Sequence, residues 1–154
     1  MKLKEYLYQC DIHIKRINYA YNKMRDFMPL NYASYELLGD EEIEHIDQLI
    51  FRFSKLQDTI GAKLFPEILK LLGEDIKPMS FIDRLNRLEE LGFVKKDEWM
   101  YLREIRNSVA HEYFSNIYQI VDSLNELYSS VDKIKAIYEN IKNLLRKRFE
   151  GNII

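Results

Sequence analysis

The sequence predicts an all-α protein, an up-and-down bundle of about five helices. Apolar residues recur in steps of three and four along most of the chain, which is the spacing of one helix face. Only five Gly and three Pro occur in 154 residues, which favours a few long helices over many short strands. Because 47% of the residues are hydrophobic, residues 1–154 are expected to form a single domain around one core.

The first helix is predicted from an apolar stripe that begins at Leu3 and ends at Met28. Pro29 should end it, and residues 31–39 are predicted to form a loop.

The second helix is predicted to begin at Asp40, as its N-cap, and its stripe continues to Leu64. Pro66 should kink or split this helix. One turn earlier, Gly61 either allows another backbone to approach closely or only loosens the bend.

Three further helices are predicted in the second half of the chain. Ser80 opens a capping-box variant and a short helix that ends at Gly92. Asp97 is the expected cap of a fourth helix. The last helix is predicted as one continuous element over residues 116–149, with Gly151 ending it.

Composition and charge narrow the class of protein. There is no run of about 18 apolar residues and no apolar core of a signal peptide, so we expect no membrane span. The single cysteine, Cys10, cannot form an internal disulfide and suits a cytoplasmic location. The net charge of −2 gives no long-range attraction for nucleic acid, so any RNA-binding surface must be a local patch.

The most informative stretch is residues 106–113 (RNSVAHEY), near the end of the fourth helix. Arg106 is a permanent cation that can grip a phosphate, and His111 changes charge near neutral pH. Metal-independent RNA cleavage needs such a pair, a proton shuttle and a fixed cation for the phosphorane. His13, His45 and His111 fall on different predicted helices, so we predict neither a metal site nor a cofactor.

This octapeptide resembles the signature of HEPN domains: Arg, a polar residue, three further residues, then His. Its extension to Tyr113 is similar to the HEPN toxins (HepT-like proteins) encoded beside small nucleotidyltransferase antitoxins. A second stretch, residues 52–58 followed by 61–66, is also similar to members of that branch.

The resemblance implies a HEPN-like homodimer and an endoribonuclease toxin that cleaves RNA at the dimer interface. Arg106 and His111 would be the catalytic pair, with Asn107 as the supporting polar residue. Tyr113 would be the position at which the cognate nucleotidyltransferase attaches AMP and silences the toxin.

The positions of the candidate residues around an α-helix favour the expected homodimer. Asn107 and Arg103 share a stripe with His111, so both are candidate RNA-binding or supporting residues. Arg106, by contrast, lies roughly 140° around an unbroken helix from His111. The two therefore converge on one phosphate only if the helix breaks before His111 or a second copy faces the first across a two-fold axis. We favour the second.

Each of these residues also has an ordinary structural interpretation. Arg106 can pair with Glu104 or Glu112, and Asn107 can cap a frayed helix end. His111 and Tyr113 can be ordinary half-buried residues. Lys55, one turn after Arg52, can contact RNA or form the charged side of an amphipathic helix. We prefer the second interpretation of Lys55.

The main alternative function is that of a non-catalytic helical partner, which binds substrate for a minimal nucleotidyltransferase or serves as its scaffold.

Overall fold

The structure is a computed structural model that describes residues 2–112 and 116–149, with the backbone alone for residues 111 and 112. Within these ranges the chain is helical and contains no strand, so the all-α prediction is confirmed. The elements are, in chain order, α1 (Lys2–Met24), α2 (Tyr32–Glu36), α3 (Asp40–Thr59), a π-turn (Ile60–Leu64), α4 (Phe65–Leu71), α5 (Phe81–Glu90), α6 (Lys96–Glu112), α7 (Ile117–Ser129) and α8 (Val131–Phe149).

One continuous apolar core joins these helices. α1 and α3 form the most extensive pair, and α6 packs against both α3 and α7. Tyr138 on α8 joins α1, since its hydroxyl donates to the Asp11 carboxylate at 2.7 Å and lies 2.9 Å from the Leu7 carbonyl oxygen. The largest fully buried side chains are Trp99, Tyr138, Phe53, Phe65 and Phe93. None of the helices in the described ranges is long and apolar enough to cross a membrane.

The chain between α1 and α3 is more ordered than the loop predicted for it. α1 ends at Met24, well before Pro29, so the predicted end at Met28 is wrong. Asn31 and Ser34 then form a reciprocal capping box, with bonds of 2.8 and 2.9 Å between side chain and backbone. This local pairing provides partners for two otherwise orphaned N–H groups and allows the one-turn helix α2.

The start of α3 lies one residue from the prediction. Its N-cap is Gly39, not Asp40, and the Gly39 N–H donates to the Glu42 carboxylate at 3.2 Å. The three acidic residues of the first turn lie where carboxylates complement the helix dipole.

Pro66 divides the long second helix, as predicted, without ending it. A proline has no N–H and crowds the carbonyl four residues earlier, so the ordinary hydrogen-bond pattern fails here. The chain responds with the π-turn, in which the Phe65 N–H donates to the Ile60 carbonyl five residues back. Helical backbone angles continue from Thr59 through Phe65.

The caps of α5 follow the prediction. Ser80 and Asp83 exchange side chain–backbone bonds of 3.1 and 3.0 Å at the N-terminus. At the C-terminus Gly92 has φ +86°, a left-handed conformation in which the Phe93 N–H can donate to the Leu88 carbonyl. The fourth helix, α6, begins at Lys96 and is not capped by Asp97.

The last predicted helix is two helices. α7 ends at Ser129 and α8 begins at Val131, with Ser130 buried at the junction. Adjacent serines favour a break because their hydroxyls compete for backbone groups, and the Ser129 hydroxyl donates to the Glu126 carbonyl at 3.0 Å. Gly151 lies outside the described residues.

The group that packs closely on Gly61 is a side chain and not another stretch of backbone. A Cβ at this position would lie 3.2 Å from Cζ2 of Trp99, a fully buried ring on α6. The Trp99 ring also packs on Phe65, with ring centroids 4.8 Å apart. The bare glycine therefore sets how closely α6 approaches α3 and its π-turn.

We predict that Gly61→Val destabilises the protein by about 1–3 kcal/mol, because its side chain forces the buried indole out of a packed site. Urea unfolding measures this change. The matched control is Ala62→Val, since Ala62 is the next residue and is exposed. Equal stability of the two variants would contradict the close contact described above.

Candidate functional site

α6 carries most of residues 106–113, and its apolar face sets their orientation. Leu102, Ile105 and Val109 are buried on one side of the helix. Arg106 lies at the border of this buried side, roughly 60° around the helix from Val109, and is partly exposed, whereas Asn107 is exposed. Tyr113 and the side chain of His111 lie outside the described residues, so their predicted roles stay predictions.

Arg106 is held by a carboxylate on another helix. Its Nε and Nη2 donate to Oδ1 and Oδ2 of Asp58 on α3, at 3.2 and 3.1 Å. This two-point contact aligns the planes of guanidinium and carboxylate and fixes the cation in one orientation. The pair is accessible, with 32% of the Arg106 and 46% of the Asp58 side chain exposed, so it adds little stability. The partner is not one of the two glutamates considered from the sequence.

Arg103, the second candidate RNA contact on α6, has a structural partner. Its guanidinium carbon lies 4.4 Å from the ring centroid of Phe81 on α5. This cation–π contact holds α5 to α6 beside Trp99. Arg103 and Asp58 line the same small cavity, so Arg103 lies close to the Arg106–Asp58 pair, three residues before Arg106 on α6.

An open groove of about 390 Å³ runs between α3 and α6 beside this pair. Arg106 lines the α6 wall, and Phe51, Lys55 and Asp58 line the α3 wall. Phe51 is 52% exposed, unlike the buried Phe53 two residues later. The remaining lining residues are Asp47, Ile50, Ser54, Val109 and Ala110. The groove therefore combines apolar side chains with one cation on each wall and with two carboxylates, Asp47 and Asp58, on the α3 wall.

A second polar cluster adjoins the α3 wall. The Arg52 guanidinium lies 3.1 Å from Nδ1 of His13 on α1. Because a guanidinium only donates, we assign this nitrogen as an acceptor and the imidazole as neutral. Burial lowers the pKa of His13, and the nearby charges of Arg52 and Lys55 lower it further. His13 thus orients Arg52 without neutralising it.

Other reactive side chains in the described part of the chain are structural. Burial raises the pKa of the Cys10 thiol to about 12, so it stays protonated and is a poor nucleophile. Burial also raises the pKa of Tyr138, whose hydroxyl donates to Asp11 at 2.7 Å. No group of three or more His, Cys, Asp or Glu within the described ranges is arranged to hold a metal ion.

α6 continues without a break through Glu112. This rules out the first of the two routes by which Arg106 and His111 of one protomer could converge, since no helix break separates them. At 100° per residue the two positions stay roughly 140° apart.

Sequence reasoning missed four residues of this region: Asp58, Phe51, Arg52 as a partner of His13, and His13 itself. A signal was present, because positions 47, 51, 54, 55 and 58 recur at steps of three and four and form one face of α3. The pattern within α3 alone could not show which of these residues lie next to α6.

Comparison of the chain with protein-family models, with curated proteins and with solved structures found no match.

We predict that acid destabilises the protein through His13. The folded-state pKa lies below the ordinary 6.5, so between those two values the unfolded chain binds a proton that the folded chain does not. The free energy of unfolding should therefore fall as pH drops below 6.5 and lose this dependence above it. Urea unfolding at pH 5–7 measures the slope.

His13→Gln should flatten that slope. Arg52→Gln should reduce it only in part, because burial, the larger cause, remains. A slope unchanged by His13→Gln would assign the acid sensitivity to other groups.

Proposed function

We propose that this protein is a metal-independent endoribonuclease toxin, a HEPN-like homodimer silenced by a cognate nucleotidyltransferase. The observation that carries the proposal is the Arg106–Asp58 contact, which holds a partly exposed guanidinium at the edge of a groove. This guanidinium belongs to the Arg106–His111 spacing that resembles the HEPN signature. The resemblance supplies the reaction, and the fixed cation beside an open groove supports it.

The proposed reaction is transfer of a phosphoryl group within RNA. One imidazole removes the proton of a ribose 2′-OH, whose oxygen attacks the adjacent phosphorus. The phosphorus–O5′ bond then breaks, and a second imidazole protonates the leaving oxygen. The products are a 2′,3′-cyclic phosphate and a free 5′-hydroxyl. A guanidinium near the equatorial oxygens stabilises the phosphorane.

The proposed dimer supplies the groups that one protomer lacks. Since α6 is continuous, positions 106 and 111 of one chain lie roughly 140° apart around the helix. Two copies of α6 related by a two-fold axis would place one imidazole as base, the other as acid and both guanidiniums over a shared cleft. Asn107 would support the bound phosphate from the same exposed side of α6.

Asp58 has a defined part in this proposal. It occupies two of the five N–H donors of Arg106, which leaves three for a phosphate. Asp58 would therefore be a positioning residue that keeps the guanidinium at the groove before substrate arrives.

A second candidate function is a non-catalytic partner that scaffolds a nucleotidyltransferase or presents its substrate. The composition of the groove favours it, since Ile50, Phe51, Val109 and Ala110 form an apolar lining typical of a docking surface. Both candidate functions predict the same nucleotidyltransferase as partner. Only the first needs a catalytic His111, so a test of His111 distinguishes them.

We predict that expression of the protein without its antitoxin arrests growth and that His111→Ala abolishes the arrest. Cleavage of RNA by the purified protein should fall by about 10²–10⁴-fold, the usual contribution of a general acid–base group. The matched control is His45→Gln, because His45 packs edge-on against Tyr19 with ring centroids 5.9 Å apart. A scaffold would leave growth unaffected, and wild-type cleavage by His111→Ala would end the proposed mechanism.

We predict that the neighbouring nucleotidyltransferase and ATP add one AMP group to Tyr113. The added phosphodiester anion would pair with Arg106 and occupy the place of the scissile phosphate. Intact-protein mass spectrometry detects the adduct. Tyr113→Phe should gain no such mass and stay toxic beside the antitoxin, whereas Tyr118→Phe, an exposed tyrosine nearby in sequence, should behave as wild type.

A further inference from the structure

Phe51 is placed as a ring for stacking rather than for the core. It is 52% exposed on α3, and its ring lines the groove between α3 and α6. A single exposed apolar residue is unremarkable by itself. Here two cations flank the same ring: the Arg52 guanidinium carbon lies 5.4 Å and the Lys55 ammonium 5.6 Å from its centroid.

In the described part of the chain, neither Arg52 nor Lys55 forms an ion pair with a carboxylate, whereas Arg106 is paired with Asp58. Arg52 is oriented by the neutral imidazole of His13. Lys55 is exposed and also lines the groove. The wall of α3 therefore presents an exposed ring with two cations beside it.

We propose that Phe51, Arg52 and Lys55 form a strand-binding strip for single-stranded RNA, in which Phe51 stacks with one base and the cations contact the flanking phosphates. Aromatic stacking beside a cationic track is how proteins hold single strands without reading their sequence. This inference rests on the proposed function, because it states where the substrate strand lies beyond the cleavage motif.

The groove and the cations beside it indicate the path that the RNA backbone would take. Its volume of about 390 Å³ falls in the range of small-ligand clefts. The sugar–phosphate backbone should pass on the side of the ring where Arg52 and Lys55 lie, because both cations are close to the Phe51 centroid. From there it can continue across the groove toward Arg106.

Charge argues against a second copy of the chain as the occupant of the strip. Two copies related by symmetry would bring Arg52 and Lys55 of one protomer near those of the other, and like charges in contact are unfavourable. A polyanion removes that repulsion. Its binding would also release counterions, which makes affinity depend on salt.

The test measures binding apart from cleavage, in full-length His111→Ala protein with a fluorescently labelled single-stranded oligouridylate. Phe51→Ala should weaken binding about tenfold or more, with the salt dependence unchanged. Lys55→Gln should lower the slope of log K against log salt by about 0.7, the value for one phosphate contact in a single strand. Fluorescence anisotropy at several salt concentrations measures both.

The chain offers a matched control on another face. Lys133 lies 5.3 Å from the ring centroid of Tyr101, a similar cation–ring pair beside a separate groove. Tyr101→Ala and Lys133→Gln should leave affinity and salt slope as they are. If they weaken binding as much as the α3 variants, the attraction is not confined to the strip, and the proposal fails.

A spectroscopic readout tests the stacking itself. The only tryptophan of the chain, Trp99, is fully buried. In a Phe51→Trp variant, oligouridylate should therefore quench the introduced exposed indole. Absence of quenching despite binding would overturn the stacking role of this position.

The remaining outcomes separate this inference from the proposed function. Normal binding by Phe51→Ala while His111→Ala abolishes cleavage overturns the strip alone. Loss of binding in Phe51→Ala together with unchanged cleavage by His111→Ala overturns the cleavage mechanism alone. A Phe51→Ala protein that sediments as a smaller species than the parent would assign the ring to a contact between copies and overturn the strip.

Discussion

The close contact between Trp99 and Gly61 is the constraint on which the rest of the site depends. It sets how closely α6 approaches α3, because a Cβ at position 61 would already lie only 3.2 Å from the indole. With the helices at this separation, Arg106 reaches Asp58 and a groove remains open beside them. Pro66 contributes indirectly, since the π-turn that accommodates it places Gly61 within its single turn.

Two kinds of cation meet at this groove, and they suit different tasks. Arg106 is fixed by a bidentate carboxylate, which limits both its motion and its net charge. In the described part of the chain Arg52 and Lys55 form no ion pair with a carboxylate, and a neutral His13 orients Arg52. The protein as a whole has a net charge of −2, so attraction for a polyanion must come from a local patch such as this strip. Local contacts, not long-range steering, would then govern association.

The sequence predicted those features that depend on neighbouring residues. The all-α class, the capping box at Ser80 and the division at Pro66 follow from local stereochemistry and were found. The break at Ser130 was missed, because the helical spacing of apolar residues continues across it. The serine hydroxyls that favour the break do not change that spacing. Asp58 as the partner of Arg106 was missed for another reason. The two are 48 residues apart, and only the packing of α6 on α3 brings them together.

The Arg106–Asp58 pair also has a consequence for the proposed chemistry. A carboxylate in two-point contact competes with any phosphate for the guanidinium. A resting phosphodiester carries one negative charge, whereas the phosphorane carries additional negative charge on its equatorial oxygens. The carboxylate therefore competes better with the ground state than with the transition state. An interaction that strengthens only as charge develops accelerates the chemical step, whereas equal binding of both states does not. In the proposed mechanism Asp58 would therefore lower the affinity for uncleaved RNA while leaving Arg106 aligned for the moment of reaction. Ground-state affinity would then depend on residues outside the motif, such as the proposed contacts of Arg52 and Lys55 on α3.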